Sequence, residues 1–133
     1  MANVTSTLNL TQVGRVCITV ADTDRAIDFY VDKLGFEKVV DVPMGPEQRW
    51  VEVAIAGTPT TIALAPPPQG QSAGSAQTGI ILDTTDVDAD HAALRDAGVD
   101  VDAEVARYGG GIPPMFWLRD PDGNSLCIVQ PDE

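Results

Sequence analysis

Arg15, Glu52 and Asp83 are the residues best equipped for polar chemistry. Arg15 stands in the run Arg15-Val16-Cys17-Ile18-Thr19-Val20, otherwise rich in aliphatic side chains. A guanidinium in such a strand needs an anionic partner, because an unpaired charge is costly to withdraw from water. Two readings follow. Arg15 anchors a ligand carboxylate, phosphate or carbonyl, or it forms an ion pair with Glu52 or Asp83. A ligand that competes for that ion pair satisfies both. Trp50 and Trp117 each open a strand pattern and offer flat walls for an aromatic guest, or else core or subunit contacts. Tyr108, Met115 and Phe116 cluster in sequence where a cavity mouth is expected, and Met115 has the adaptable side chain that suits irregular ligands. Tyr30 reads as helix core.

Other chemistries lack their residues. The chain has one histidine, His91, and it falls on a helical face, where packing or surface exposure is expected instead of metal ligation. Cys17 and Cys127 lie in strands away from that helix, so no His–Cys or His–Ser–Asp arrangement is supported. They do not form a C-x-x-C pair and are expected as two buried free thiols. Asp120, Asp122 and Asn124 have the first three spacings of a calcium loop, but Ser125 replaces its glycine and strand patterns flank it. Gly109-Gly110-Gly111 lacks the strand–loop–helix order of a phosphate loop and reads as a flexible cavity mouth. No catalytic residue is assigned.

Charge narrows the partners. Eight basic residues face 20 acidic ones, for a net charge of −12. Such a surface repels phosphate backbones, so no nucleic-acid role is expected, whereas cationic molecules are attracted. No apolar run approaches the ~18 residues that span a bilayer. Met1-Ala2-Asn3-Val4-Thr5 shows no secretory pattern. A protein of the cytoplasm, without membrane partners, is expected.

The elements that position these residues repeat. Gly14–Asp24 and Thr78–Asp88 align at a shift of 64, superposing Asp22 on Asp86 and Asp24 on Asp88. Each half enters a helix behind an aspartate cap and leaves it at a glycine, Gly35 or Gly98. Ile27, Tyr30, Val31 and Leu34 make the buried stripe of the first helix; Val87, His91, Leu94 and Ala97 make that of the second. Trp50 and Trp117 are read as equivalents. The order of elements gives one domain over residues 1–133: module one at 12–66, a Pro/Gly/Ser-rich linker at 67–77, and module two at 78–131. The strands alternate. Val16, Ile18, Ile62, Leu64, Leu126 and Ile128 face the helices, while Arg15, Cys17, Thr61, Ala63, Asp83 and Cys127 face away. The second set is small or polar, as in the lining of a cavity.

The helix Arg25-Ala26-Ile27-Asp28-Phe29-Tyr30…Leu34-Gly35-Phe36 and the turn Arg119-Asp120-Pro121-Asp122-Gly123-Asn124 carry a resemblance. In this order and at this spacing the chain resembles the vicinal oxygen chelate superfamily of glyoxalases, bleomycin-resistance proteins and extradiol dioxygenases. The resemblance spans residues 12 to 131. It implies an α+β fold of two βαβββ modules, whose curved mixed sheets form an open barrel-like cleft with the helices outside. It also implies a homodimer. Metal-dependent relatives carry ligands at positions that here look like Arg15, Gly79, Ala63 and Cys127. A guanidinium repels a cation and one thiol cannot hold it alone. No metal and no cofactor are therefore expected. The implied function is metal-independent binding of a small molecule, aromatic or amphipathic, as in bleomycin-resistance-type sequestering proteins. Its ligand-binding residues would be Arg15, Trp50, Glu52, Asp83, Tyr108, Met115, Trp117 and Cys127. The other reading is a small glyoxalase- or dioxygenase-like lyase or isomerase with a divergent site, in which Arg15 is the electrophile and Glu52 or Asp83 the base.

Overall fold

A computed structural model describes residues 7–131. The reading of Met1-Ala2-Asn3-Val4-Thr5 lies outside them. The first half runs β1 (Arg15–Thr19), α1 (Thr23–Asp28), β2 (Glu37–Pro43), β3 (Arg49–Ala54) and β4 (Thr61–Ala65). The second runs β5 (Ile81–Asp83), α2 (Val87–Asp96), β6 (Asp100–Val101), β7 (Met115–Arg119) and β8 (Ser125–Val129). Each half makes its own four-stranded open sheet, ordered β1-β4-β3-β2 and β5-β8-β7-β6. The β1–β4 and β5–β8 pairs are parallel and the others antiparallel. This is the expected pair of βαβββ units.

Alternation sends one side chain set into the core. Ile18, Val51, Val53, Ile62 and Leu64 from sheet one join Phe116, Leu118, Leu126 and Ile128 from sheet two in one buried cluster. Burying each such side chain contributes about 1.5–3 kcal/mol. His91 packs here too. Its ring meets Phe116 edge-on at 4.9 Å, and Nε2 lies 2.6 Å from the Asp102 carbonyl oxygen.

Both aspartate caps form. Asp22 Oδ1 accepts from the Arg25 amide and Asp86 Oδ1 from the Ala89 amide, satisfying donors that a first helical turn leaves free. The buried faces differ from the expected stripes. α1 continues as a π-helical turn, Phe29–Lys33. Its wider winding brings Ala26 and Phe29 inside with Tyr30, and leaves Ile27, Val31 and Leu34 only partly buried. In α2, Val87, His91 and Leu94 are buried as expected, but Ala97 is the C-cap and is exposed.

The β7–β8 turn locks the halves together. The Asp120 carbonyl accepts from the Gly123 amide at 3.0 Å, and Gly123 takes φ +85°, where a side chain is strained. Asp120 is buried and its carboxylate accepts four hydrogen bonds. Oδ2 takes the Tyr30 hydroxyl (2.8 Å) and Asn124 Nδ2 (2.9 Å); Oδ1 takes the amides of Asp122 and Asn124 (both 2.9 Å). Asn124 Nδ2 also donates to the Thr19 carbonyl, and its Oδ1 accepts from the Ser75 amide, each at 2.9 Å. Asp122 Oδ1 accepts from Arg25 Nη2 (2.9 Å) and the Ala21 amide (3.1 Å). Burial, reinforced by the Asp120 charge, pushes the Tyr30 phenol far above its ordinary pKa. It therefore stays a donor.

Candidate functional site

The outward face of sheet one gathers three of the eight expected site residues. The register sets Arg15 opposite Thr61, and Glu52 opposite Ala63. Glu52 is buried although charged, and its partners explain why. Oε1 accepts from the Thr61 hydroxyl at 2.6 Å and Oε2 from Trp50 Nε1 at 2.6 Å, while Arg15 Nε lies 3.3 Å from Oε2. The Thr61 and Trp50 hydrogen bonds, then the Arg15 charge, hold the Glu52 carboxyl below its usual pKa against the opposing effect of burial. Of the two carboxylates considered for Arg15, Glu52 is its ion-pair partner. The arginine side chain remains 60% exposed, so its guanidinium faces solvent beside the indole. Thr61 belongs to this cluster although its type suggested no special role. Alternation already placed it on the Arg15 face.

Met115, Trp117, Cys127 and Asp83 share a face of sheet two. Trp117 lies opposite Cys127, and Met115 and Asp83 flank Val129 from either side. The tryptophans are not equivalent. Ala63 and Cys127 occupy matching places, and Glu52 pairs with the first, Trp117 with the second. The counterpart of Trp50 is therefore Met115. The loop from β6 to β7 is longer than that from β2 to β3, and the spacing between tryptophans hides the difference. Tyr108 is exposed on that loop, which joins the sheet through a bridge between Ala106 and Met115. Gly109, Gly110 and Gly111 all take positive φ there. Arg119 Nη1 donates to Asp102 Oδ1 at 2.8 Å, whose other oxygen accepts from the Trp117 amide at 3.1 Å.

The two cysteines part company. Cys127 is buried, and burial pushes its thiol pKa up, so it is an inert packing group. Cys17 was expected to be buried and is exposed. It lies on the outward face of β1, an edge strand whose neighbours there are small.

A divalent metal does not fit this face. Among the described residues no three His, Cys, Asp or Glu side chains converge. Glu52 already has both oxygens engaged, one of them by a cation. The arrangement instead holds an arginine and an indole side by side.

Asp83 also borders two clefts between the halves. One encloses about 600 Å³ and the other about 310 Å³, and both are lined by Phe36, Ile55, Leu82 and Asp83. Among the described residues, no hydrogen bond or ion pair engages the Asp83 carboxylate.

Two open βαβββ sheets with polar groups on their outward faces define a class. The family model of the Glyoxalase/Bleomycin resistance protein/Dioxygenase superfamily matches residues 12–128, and the chain belongs to that superfamily. Bacillus subtilis YetH, an uncharacterized protein, is 30% identical over 119 residues, covering 90% of this chain and 98% of its own. A superfamily member from Sphaerobacter thermophilus is 35% identical, with a TM-score of 0.83 and coverage of 91% and 98%. TnmS3, an antibiotic-binding protein from Streptomyces sp. CB03234, is 33% identical, with a TM-score of 0.76 and coverage of 94% and 99%. Among the described residues no helix is long and apolar enough to cross a membrane.

Proposed function

We propose that this protein binds a small, flat molecule without a metal and protects by sequestering it. The observation that carries this reading is the Arg15–Glu52–Trp50–Thr61 cluster. Glu52 uses one oxygen to fix the indole N–H and to hold Arg15 by Nε. That leaves an aromatic surface and a guanidinium side by side, suited to an aromatic guest bearing a carboxylate, phenolate or carbonyl oxygen. The likeness to antibiotic-binding TnmS3 supports the same class of ligand.

The protein would act as a homodimer. Val42, Ile81 and Trp117 stand 48%, 62% and 38% exposed on the outward faces, apolar area that a second copy would cover. Met115, Trp117 and Tyr108 would then contribute further walls, with Cys127 beneath. The two free thiols support a reducing compartment, the cytoplasm.

The enzymatic reading is weaker on chemical grounds. A general base should have a pKa near the working pH, and Glu52 is displaced the other way, toward a poorer base.

Equilibrium dialysis against aromatic natural-product antibiotics tests the proposal. Binding tighter than ~100 µM is expected, with a loss of about tenfold or more in Arg15→Ala. Metal analysis after incubation with Ni, Zn, Mn and Fe(II) runs beside it. Near one equivalent of metal per subunit, together with turnover of a glyoxalase or dioxygenase substrate, would overturn the reading. So would the absence of binding across the panel.

A further inference from the structure

The repeat that relates the halves also relates their two corners. At one, the β7–β8 turn meets β1 and α1; at the other, the β3–β4 turn meets β5 and α2. The shift of 64 takes Thr19 to Asp83, Tyr30 to Leu94 and Thr60 to Asn124. The first corner is filled by the Asp120 network. The second lacks each piece of it. Leu94 has no hydroxyl to offer, and Thr60 turns away to donate to the Val13 carbonyl at 2.9 Å. Asp83 keeps its carboxylate unpaired among the described residues. The two clefts that border Asp83 lie there, walled by Phe36, Ile55, Ile62 and Leu82.

We infer that this corner is a second binding site, apart from the Arg15–Trp50 cluster, for an amphipathic monocation: an apolar body with an ammonium head. The volume of the larger cleft lies in the range that holds small molecules, and its wall is mostly apolar. The polarity at its edge is anionic. Asp83 is unpaired among the described residues, and Asp90 lines the smaller cleft with Oδ2 accepting from the Thr84 hydroxyl at 2.5 Å. Lys33 lines the smaller cleft, where its ammonium donates to the Ala97 carbonyl at 2.8 Å, but does not line the larger one. β5 is an edge strand and Asp83 is exposed on it, so across that edge an ammonium group would meet Asp83 while its apolar part covers Leu82, on the opposite face of the strand, and Ile55. The net charge of −12 favours the same sign of guest.

Three probes of one shape isolate the charge: 4-phenylbutylamine, 4-phenylbutyrate and 4-phenylbutanol, titrated into the whole ¹⁵N-labelled chain. The amine should shift the amides of Phe36, Ile55, Leu82 and Asp83, leave those of Arg15 and Trp50 unmoved, and bind about fivefold more tightly than the acid. Asp83→Asn should remove most of that preference, leaving only the weak bias of the acidic surface, while the alcohol binds as before. Ile55→Trp, which fills the cleft from an exposed position, should weaken all three about tenfold. The inference fails if no probe saturates by about 10 mM, weaker than the affinity scale of a real site. It also fails if the amine and the acid bind alike, or if the shifts map to Arg15, Trp50 and Trp117 instead. Because the wild-type series decides the matter alone, a misfolded variant would not rescue it.

Discussion

The β7–β8 corner and the β3–β4 corner are built on the same backbone plan and end in opposite states. At the first, a buried carboxylate accepts four hydrogen bonds, one of them from Tyr30, and Asn124 joins the same turn to β1 and the linker. At the second, hydrophobic walls stand apart around about 600 Å³ of space and a carboxylate without a partner among the described residues. A buried ion of this kind is tolerated because its hydrogen bonds are complete, and it fixes one relative placement of the halves. The empty corner does not need such a device, since a single fastening already orients the two sheets. It is therefore free to diverge. A repeat with one corner fixed and one released keeps its fold while acquiring a pocket.

The sharpest way to break this contrast is to remove the fastening. Asp120→Ala would strand the Tyr30 hydroxyl, one N–H of the Asn124 side chain and two backbone N–H groups in a buried place. Loss of about 3–5 kcal/mol is expected, read as a lower urea midpoint at an unchanged slope. A loss below about 1 kcal/mol would mean that water enters the corner and that the network is not what holds the halves.

A smaller effect tests how closely the linker must approach. Gly74 takes φ +99°, its amide donates to Thr19 Oγ1 at 2.9 Å, and an added Cβ would meet the Asp122 carbonyl oxygen at 2.0 Å. Gly74→Ala should cost about 1–3 kcal/mol through strain and displacement of the turn. If its urea midpoint matches that of the wild type, the linker is not part of the lock.

Much of this was legible in the residues. Asp22 and Asp86, each a side-chain acceptor ahead of an apolar period, announced the helix starts, and both cap. Asp120-Pro121-Asp122-Gly123 announced a turn because proline fixes φ locally and glycine accepts a positive φ. That the same turn locks the halves was not legible. Asp120 and Asp122 find Tyr30 and Arg25 at separations of 90 and 97 residues, and nothing local in the sequence encodes such a pairing. The π-helical turn was hidden for a related reason: one extra residue in the winding moves Phe29 inward without changing the apolar composition. Of the site, Arg15 and Glu52 were legible as a charge and its partner on one face. The exposure of Cys17 depends on which strand forms the sheet edge, a matter of topology.

The last prediction concerns the released corner, where almost nothing should happen to stability. Asp83→Asn removes an exposed charge with no partner among the described residues. Substitutions of that kind change stability by no more than about 0.5 kcal/mol, and relief of repulsion in a chain of net charge −12 makes a slight gain the expected sign. The urea midpoint should match or just exceed that of the wild type. A loss above about 1 kcal/mol would show that Asp83 is structurally paired after all. The released corner would then be a second fastening, and the contrast between the two corners would collapse.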